Sequence, residues 1–183
     1  MATVAEKSQS VIPTGTWSID PVWSSLGFEV KKIGLATVKG RALGFEGTVR
    51  GGDEASIEGK VAVSSITTFD ETRDAHVQSP DFFDAERYPE LHFESTEVIA
   101  NGDELWVAGN LTIKGITRPI ELRGQFAGTG TDPMGNERIA LELSGAIDRT
   151  DFGLNWNAPL PGGGFLLPND VLLTASFAAV RAA

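Results

Sequence analysis

Residues 105–113 read Leu105-Trp106-Val107-Ala108-Gly109-Asn110-Leu111-Thr112-Ile113. Leu105, Val107, Leu111 and Ile113 recur every second position, the period at which successive side chains of a β-strand point to opposite faces. Gly109 falls on the apolar side of that stripe. Four further stretches carry the same device: Leu43, Phe45, Gly47, Val49; Ile57, Gly59, Val61, Val63; Ile120, Leu122, Gly124, Phe126; and Ile139, Leu141, Leu143, Gly145, Ile147. In each the glycine shares the face that the alternation marks as buried. Glycine weakens a strand interior, because it adds backbone entropy and gives no side chain to pack. Five repeats of that cost imply either a sheet that bends sharply at those points or space reserved in front of them. Both readings lead to a closed barrel, and the second leads to a ligand inside it.

Working outward, further strand-like segments cover 15–20, 24–32, 35–50, 55–64, 91–99, 104–113, 118–127, 137–148 and 170–180. They are punctuated by turn signals at Gly51-Gly52-Asp53, Asn101-Gly102-Asp103, Lys114-Gly115 and Asp132-Pro133-Met134-Gly135. Between 70 and 88 the alternation stops. Asp70 is a suitable N-cap for a helix over 71–78, and Ser79-Pro80 predicts a second short turn to Asp84. The expected fold is all-β: an antiparallel eight-stranded barrel with one short helical segment, about 71–84, near a barrel mouth. Residues 1–13 are read as a flexible arm and 14–183 as one domain. The segment 152–168, with three prolines and Gly162-Gly163-Gly164, is read as a long loop.

The chain has 183 residues, 41% hydrophobic and 22% charged, within the range of ordinary globular proteins. It contains no cysteine, so neither disulfides nor thiolate metal sites are open to it. A net charge of −10 argues against nucleic acid and against electrostatic docking on anionic membranes. No stretch reaches the ~20 apolar residues of a membrane helix, so stable membrane insertion is not expected. Residues 1–14 lack a signal-peptide core, and the chain is read as cytoplasmic, with export as the alternative.

Few residues could carry chemistry. His76 and His92 lie on different elements and lack metal-ligand spacing, so neither a metal nor a cofactor is expected. His92 faces outward by parity with Leu91 and Phe93. No nucleophile elbow or phosphate-binding loop occurs. The richest cluster is Arg73, Asp74, His76, Ser79, Asp81, Asp84, Arg87 and Tyr88, interrupted by Phe82-Phe83. Arg73 and Asp74 are sequence neighbours and point about 100° apart on a helix. Arg73 is therefore free to meet a polar or anionic head group at a barrel mouth while an apolar tail enters the lumen.

Several motifs go further. Thr16-Trp17-Ser18-Ile19-Asp20, Phe28-Glu29-Val30, Thr72-Arg73-Asp74-Ala75-His76 through Asp81-Phe82-Phe83-Asp84, Tyr88-Pro89, Phe93-Glu94-Ser95, Leu111-Thr112-Ile113-Lys114-Gly115-Ile116-Thr117-Arg118-Pro119 and Arg149-Thr150-Asp151-Phe152-Gly153-Leu154-Asn155-Trp156 resemble the YceI-like family over nearly the whole chain. That resemblance implies a lipocalin-like barrel with an internal tunnel for long isoprenoid or other lipid-like molecules. It also implies frequent homodimers and no general catalytic activity. The chain departs from the family pattern at Trp23 and Lys32, where histidines are usual, and at 166–170, changes expected to alter a barrel mouth.

The leading expectation is thus non-catalytic binding of a long isoprenoid or fatty-acyl type ligand, for transport, storage or sequestration. Its expected contacts are Phe28, Val30, Phe45, Phe93, Leu111, Phe126, Leu143, Phe152, Trp156 and Phe177 along the lumen, with Arg73, His76 and Phe82 at the mouth. Two alternatives stand beside it: an enzyme using His76 as acid or base with Asp74 orienting it, and a filled barrel acting through its surface, its glycines serving only to coil the sheet.

Overall fold

A computed structural model describes residues 11–183; the greater part of the predicted N-terminal arm, 1–10, lies outside the described residues. Among the described residues the strands are β1 (Gly15–Ile19), β2 (Ser25–Lys32), β3 (Ala36–Ala42), β4 (Phe45–Gly51), β5 (Ser56–Ala62), β6 (Ile66–Thr67), β7 (Glu90–Asn101), β8 (Glu104–Ile113), β9 (Ile116–Thr131), β10 (Glu137–Asp148) and β11 (Asp170–Arg181), with one α-helix, α1 (Glu71–Gln78), between β6 and β7. All pairings are antiparallel. The ring runs β1-β4-β5-β7-β8-β9-β10-β11 and closes where β11 pairs back onto β1. β2, β3 and β6 prolong β1, β4 and β5 beyond local breaks, with β2 pairing β11 and β3, and β3 pairing β6. Counted as staves, this is an eight-stranded closed barrel.

The breaks explain where the strand boundaries differ from the sequence reading. The predicted strand 35–50 is interrupted at Leu43-Gly44, and Leu43, expected on the inner stripe, is 60% exposed. Val63 turns into a short 3-10 segment, after which the two-residue β6 continues the stave. Between β1 and β2 the buried Ser24 takes the place of a strand backbone: its Oγ accepts from Ala178 N at 2.9 Å and donates to Ala178 O at 3.2 Å. Ser95 does the same at the β7 bulge, where its Oγ accepts from Ile57 N at 2.8 Å. After α1 the chain forms hydrogen-bonded turns over 80–87 rather than a second helical segment.

The inner glycines resolve the choice between bend and space. A Cβ on Gly47 would lie 2.7 Å from Glu58 O, on Gly59 2.8 Å from Glu46 O, on Gly109 2.6 Å from Glu94 O and on Gly145 2.5 Å from Glu121 O; on Gly124 it would fall inside the Glu142 carbonyl. In every case the obstacle is the backbone of an adjacent strand. Gly47 and Gly59 face each other as register partners. The strands coil so steeply that only hydrogen fits there.

One half of the lumen is filled. Ile12, Trp17, Val49, Leu105, Val107, Ile139, Leu141 and Ala179 form a buried cluster at the end that carries the β4–β5, β7–β8 and β9–β10 turns. Ile12, assigned by sequence to the loose arm, is 1% exposed and accepts from Gly52 N through its carbonyl. Trp17 Nε1 donates to Pro13 O at 3.0 Å. The same end is clamped by Arg138, whose Nη1 and Nε reach Asp20 at 2.9 Å and Asp132 at 2.8 Å and whose guanidinium stacks 4.0 Å over Trp23. Trp23 therefore sits on the outside of this end and not at the mouth, contrary to the expectation drawn from its position.

Gly124→Ala forces a backbone clash and is expected to destabilise the barrel by about 1–3 kcal/mol or more. Gly130→Ala, with open space in front of it, changes stability by no more than about 1 kcal/mol; urea unfolding of both variants reads the contrast. Hydrogen bonds from Arg138, then from Asn136 and Met134, hold the Asp132 carboxyl at about 2, against an ordinary 3.8. A depressed carboxylate stabilises the fold above its unfolded value and loses that contribution as pH falls through its folded value. The stability gap between the parent protein and Asp132→Asn is therefore constant above pH 5 and closes between about pH 4 and pH 2.

Candidate ligand cavity

The other half of the lumen is hollow. A cavity of about 350 Å³ lies there, with a wall supplied by the inner faces of every stave and by α1 and the 149–169 connection. Where it meets the filled half, the wall is Ile19, Phe45, Ile57, Leu143, Ala175 and Phe177. Above these stand Phe28, Val30, Phe93 and Leu111, and at the rim Lys32, Arg73, His76, Phe82, Trp156 and Leu166. Two of the rings have fixed places because glycine lies under them: Phe28 covers its register partner Gly40, and Phe93 covers Gly109. The hollow is thus confined to one half of the lumen, while the resemblance implied a tunnel.

Of the residues expected to line it, Phe28, Val30, Phe45, Arg73, His76, Phe82, Phe93, Leu111, Leu143, Trp156 and Phe177 share this one wall. Phe126 and Phe152 do not. Phe126 packs against the filled half, because the β9 stripe runs past the cavity by that point. Phe152 is 1% exposed, locked in a second cluster with Leu111, Ile113, Ile147, Leu154 and Val171 beneath the 3-10 turn Arg149–Phe152.

The rim is built on hydrogen bonds. Asp70 caps α1 by accepting from Arg73 N at 2.8 Å, as its sequence position predicts. Asp74 does not orient His76, as the enzyme alternative supposed. Its carboxylate instead accepts from Thr67 Oγ1, Thr68 N and Thr68 Oγ1, each at 2.6 Å. Burial opposes ionisation of Asp74, but those bonds, with Arg73 alongside, outweigh it and hold the carboxyl below its ordinary value. Arg73 donates through Nε to Thr68 Oγ1 and through Nη2 to Thr68 O, both at 2.8 Å. His76 Nε2 lies 2.9 Å from Asp81 Oδ2, and its ring packs edge-on against Trp156 at 4.6 Å and Phe82 at 5.0 Å. Ser79 Oγ is spent on the His76 carbonyl at 2.6 Å, so it is not poised against the imidazole as a nucleophile. His92 is exposed beside Glu90, at 3.2 Å.

Arg149 is the residue that the sequence reading passed over. It is 4% exposed and on the cavity wall. Nε donates to Pro168 O at 2.9 Å, and Nη1 donates to Leu154 O at 2.5 Å and Trp156 O at 2.8 Å, which pins the long connection over the mouth. Burial lowers its pKa, and Asp148 next to it opposes that only in part. The signal was present in the chain: Arg149 continues the inner parity of Leu143, Gly145 and Ile147. Among the described residues no group of three or more His, Asp or Glu is arranged to hold a metal ion.

Residues 17–179 match the family model described as the YceI-like domain. The chain belongs to the YceI-like family. Its relatives include a UPF0312 protein of Photorhabdus laumondii, 37% identical over 139 residues that cover 74% of this chain and 71% of the relative. A UPF0312 protein of Staphylococcus aureus is 34% identical over 165 residues, 87% of this chain and 94% of the relative. Among solved structures, Burkholderia cenocepacia BcnA superposes with a TM-score of 0.75 at 21% identity, over 87% of this chain and 98% of that one. A Saccharophagus degradans domain described as polyisoprenoid binding gives 0.67 at 15% identity, over 91% and 98%. At those identities the superpositions establish a shared fold.

Asp74→Asn removes a charged acceptor from three short bonds that tie the start of α1 to β6. Amide hydrogen exchange over 68–78 is expected to accelerate tenfold or more, while exchange in β8 and β10 stays at the parent rate.

Proposed function

We propose that this protein binds one long apolar, isoprenoid- or lipid-like molecule in the hollow half of its barrel, without chemistry, for transport, storage or sequestration. The observation that carries the reading is the wall itself: aliphatic and aromatic side chains from all eight staves surround a hollow of about 350 Å³. That volume lies at the lower end of the roughly 300–1,000 Å³ typical of small-molecule sites. Each CH₂ removed from water contributes about 0.8 kcal/mol, so a twelve-carbon chain gains about 10 kcal/mol before ordering costs. The polyisoprenoid-binding description of the Saccharophagus relative points the same way. In this reading His76, Phe82 and Trp156 form an aromatic collar through which the chain enters, and His76 acts as a packing surface held by Asp81.

Extraction of the purified protein with organic solvent, followed by mass spectrometry, is expected to recover a long-chain lipid at close to one per barrel. Recovery of none, together with no uptake of a fluorescent acyl or prenyl probe, refutes the reading. Ala175→Phe, which places a phenyl ring on the cavity wall, is expected to weaken probe binding at least tenfold while shifting the melting temperature by only a few degrees.

A further inference from the structure

The cavity wall carries an imbalance of charge. Glu46 and Glu58 reach it, but each is already paired, Glu46 with Lys60 at 2.9 Å and Glu58 with Arg50 at 3.5 Å. Lys32, Arg73 and Arg149 also reach it, and among the described residues none of these three has a carboxylate within 4.0 Å. The acidic groups next to them in sequence are committed elsewhere: Asp74 to Thr67 and Thr68, Asp148 to Thr150 N and Oγ1 at 2.9 and 2.5 Å. Each arginine also keeps one terminal nitrogen out of its hydrogen bonds, Nη1 of Arg73 and Nη2 of Arg149. Arg149 is nineteen-twentieths buried or more, and Lys32 is half-buried.

Cations beside an apolar hollow, with no directly paired carboxylate, are costly for the empty protein, and an anion brought by a ligand relieves that cost. This occurs in a chain whose net charge is −10, so the local excess is not a reflection of a basic surface. All three cations also stand at the same end: Lys32 at the close of β2, Arg73 on α1 and Arg149 just after β10. The filled half of the lumen faces them from the far side.

We infer that the ligand is an acidic amphiphile, an apolar chain ending in a carboxylate or a phosphate, whose head lies at the mouth against Arg73, Arg149 and Lys32 while its tail points toward the filled half. This rests on the apolar-chain reading given above and adds the charge and the direction of the ligand. The remaining terminal nitrogen of each guanidinium suits it, since a charged N–H donor makes a short, strong hydrogen bond to an oxygen of either anion.

The test uses three probes with one chain, dodecanoate, dodecyl phosphate and dodecanol, titrated below their micellar concentrations into delipidated full-length protein. Both anions are expected to bind at least tenfold more tightly than the alcohol, and whichever anion is preferred assigns the head. That advantage is expected to shrink severalfold in Arg73→Gln and in Lys32→Gln. Arg149→Gln gives the largest loss if its loop stays docked; because Arg149 also pins that loop, the other two variants decide the matter. Equal affinity for alcohol and anions overturns the inference and leaves the apolar-chain reading intact. Tighter anion binding that ignores both Arg73→Gln and Lys32→Gln overturns it as well. Binding of none of the probes removes the apolar-chain reading and the inference with it.

Discussion

At five inner positions of this barrel a carbonyl oxygen of the adjacent strand stands within 2.8 Å of where a Cβ would have to be. Everything else in the structure depends on that approach. Strands that coil so steeply close after eight staves, and a ring of that size has room on its axis either for side chains or for one slender ligand. The inner side chains then decide the outcome locally. Toward one end, Trp17, Leu105, Ile139 and Leu141 meet Ile12 and fill the lumen. Toward the other, the ring is interrupted: β6 stops at Thr67, β7 begins only at Glu90, and the β9–β10 register ends at Arg123–Ser144. The inserted segments cover that end instead of extending the sheet, and a hollow remains under them.

Those covering segments lie in place through polar bonds as much as through apolar burial. Asp74 ties α1 to the threonines of β6 and the residue after it, and Arg149 gathers three carbonyls of the long connection. A guanidinium inside an apolar wall is an expensive way to hold a loop, since burial disfavours its charge. An aliphatic residue could pack there but could not satisfy carbonyls that have left the sheet. The same group that fixes the mouth also leaves positive charge facing the hollow, so in the proposed reading Arg149 supports the cavity and shares its selectivity with Arg73 and Lys32.

Much of this was legible in the chain. Period-two stripes gave the strands, the turn residues gave the antiparallel order, and Asp70 marked the first turn of α1. Inner parity placed Phe28, Phe45, Phe93, Leu111, Leu143 and Phe177 on one surface. What could not be read was depth along the axis. Parity says in or out, so Phe126 looked equivalent to Phe93 although it lies in the filled half. It cannot mark a break either, and so Leu43 was read as part of a continuous strand. Trp23 lies away from the mouth because its neighbour is Arg138, 115 positions away in sequence, and only the pairing of β11 with both β10 and the β1–β2 stave brings the two together. The glycines posed a question about bend or space that sequence cannot answer, because the obstructing atoms belong to the next strand.

The central claim is that one half of the lumen is packed and the other receives an apolar chain tail first. A crystal structure of the protein with 12-bromododecanoate, collected at the bromine absorption edge, tests it most directly. The account predicts a single anomalous peak deep in the hollow, beside Phe45, Leu143 and Phe177, with the carboxylate at the rim. A bromine peak at the rim or outside the barrel, or inner side chains that meet across the axis and leave no hollow, would contradict it.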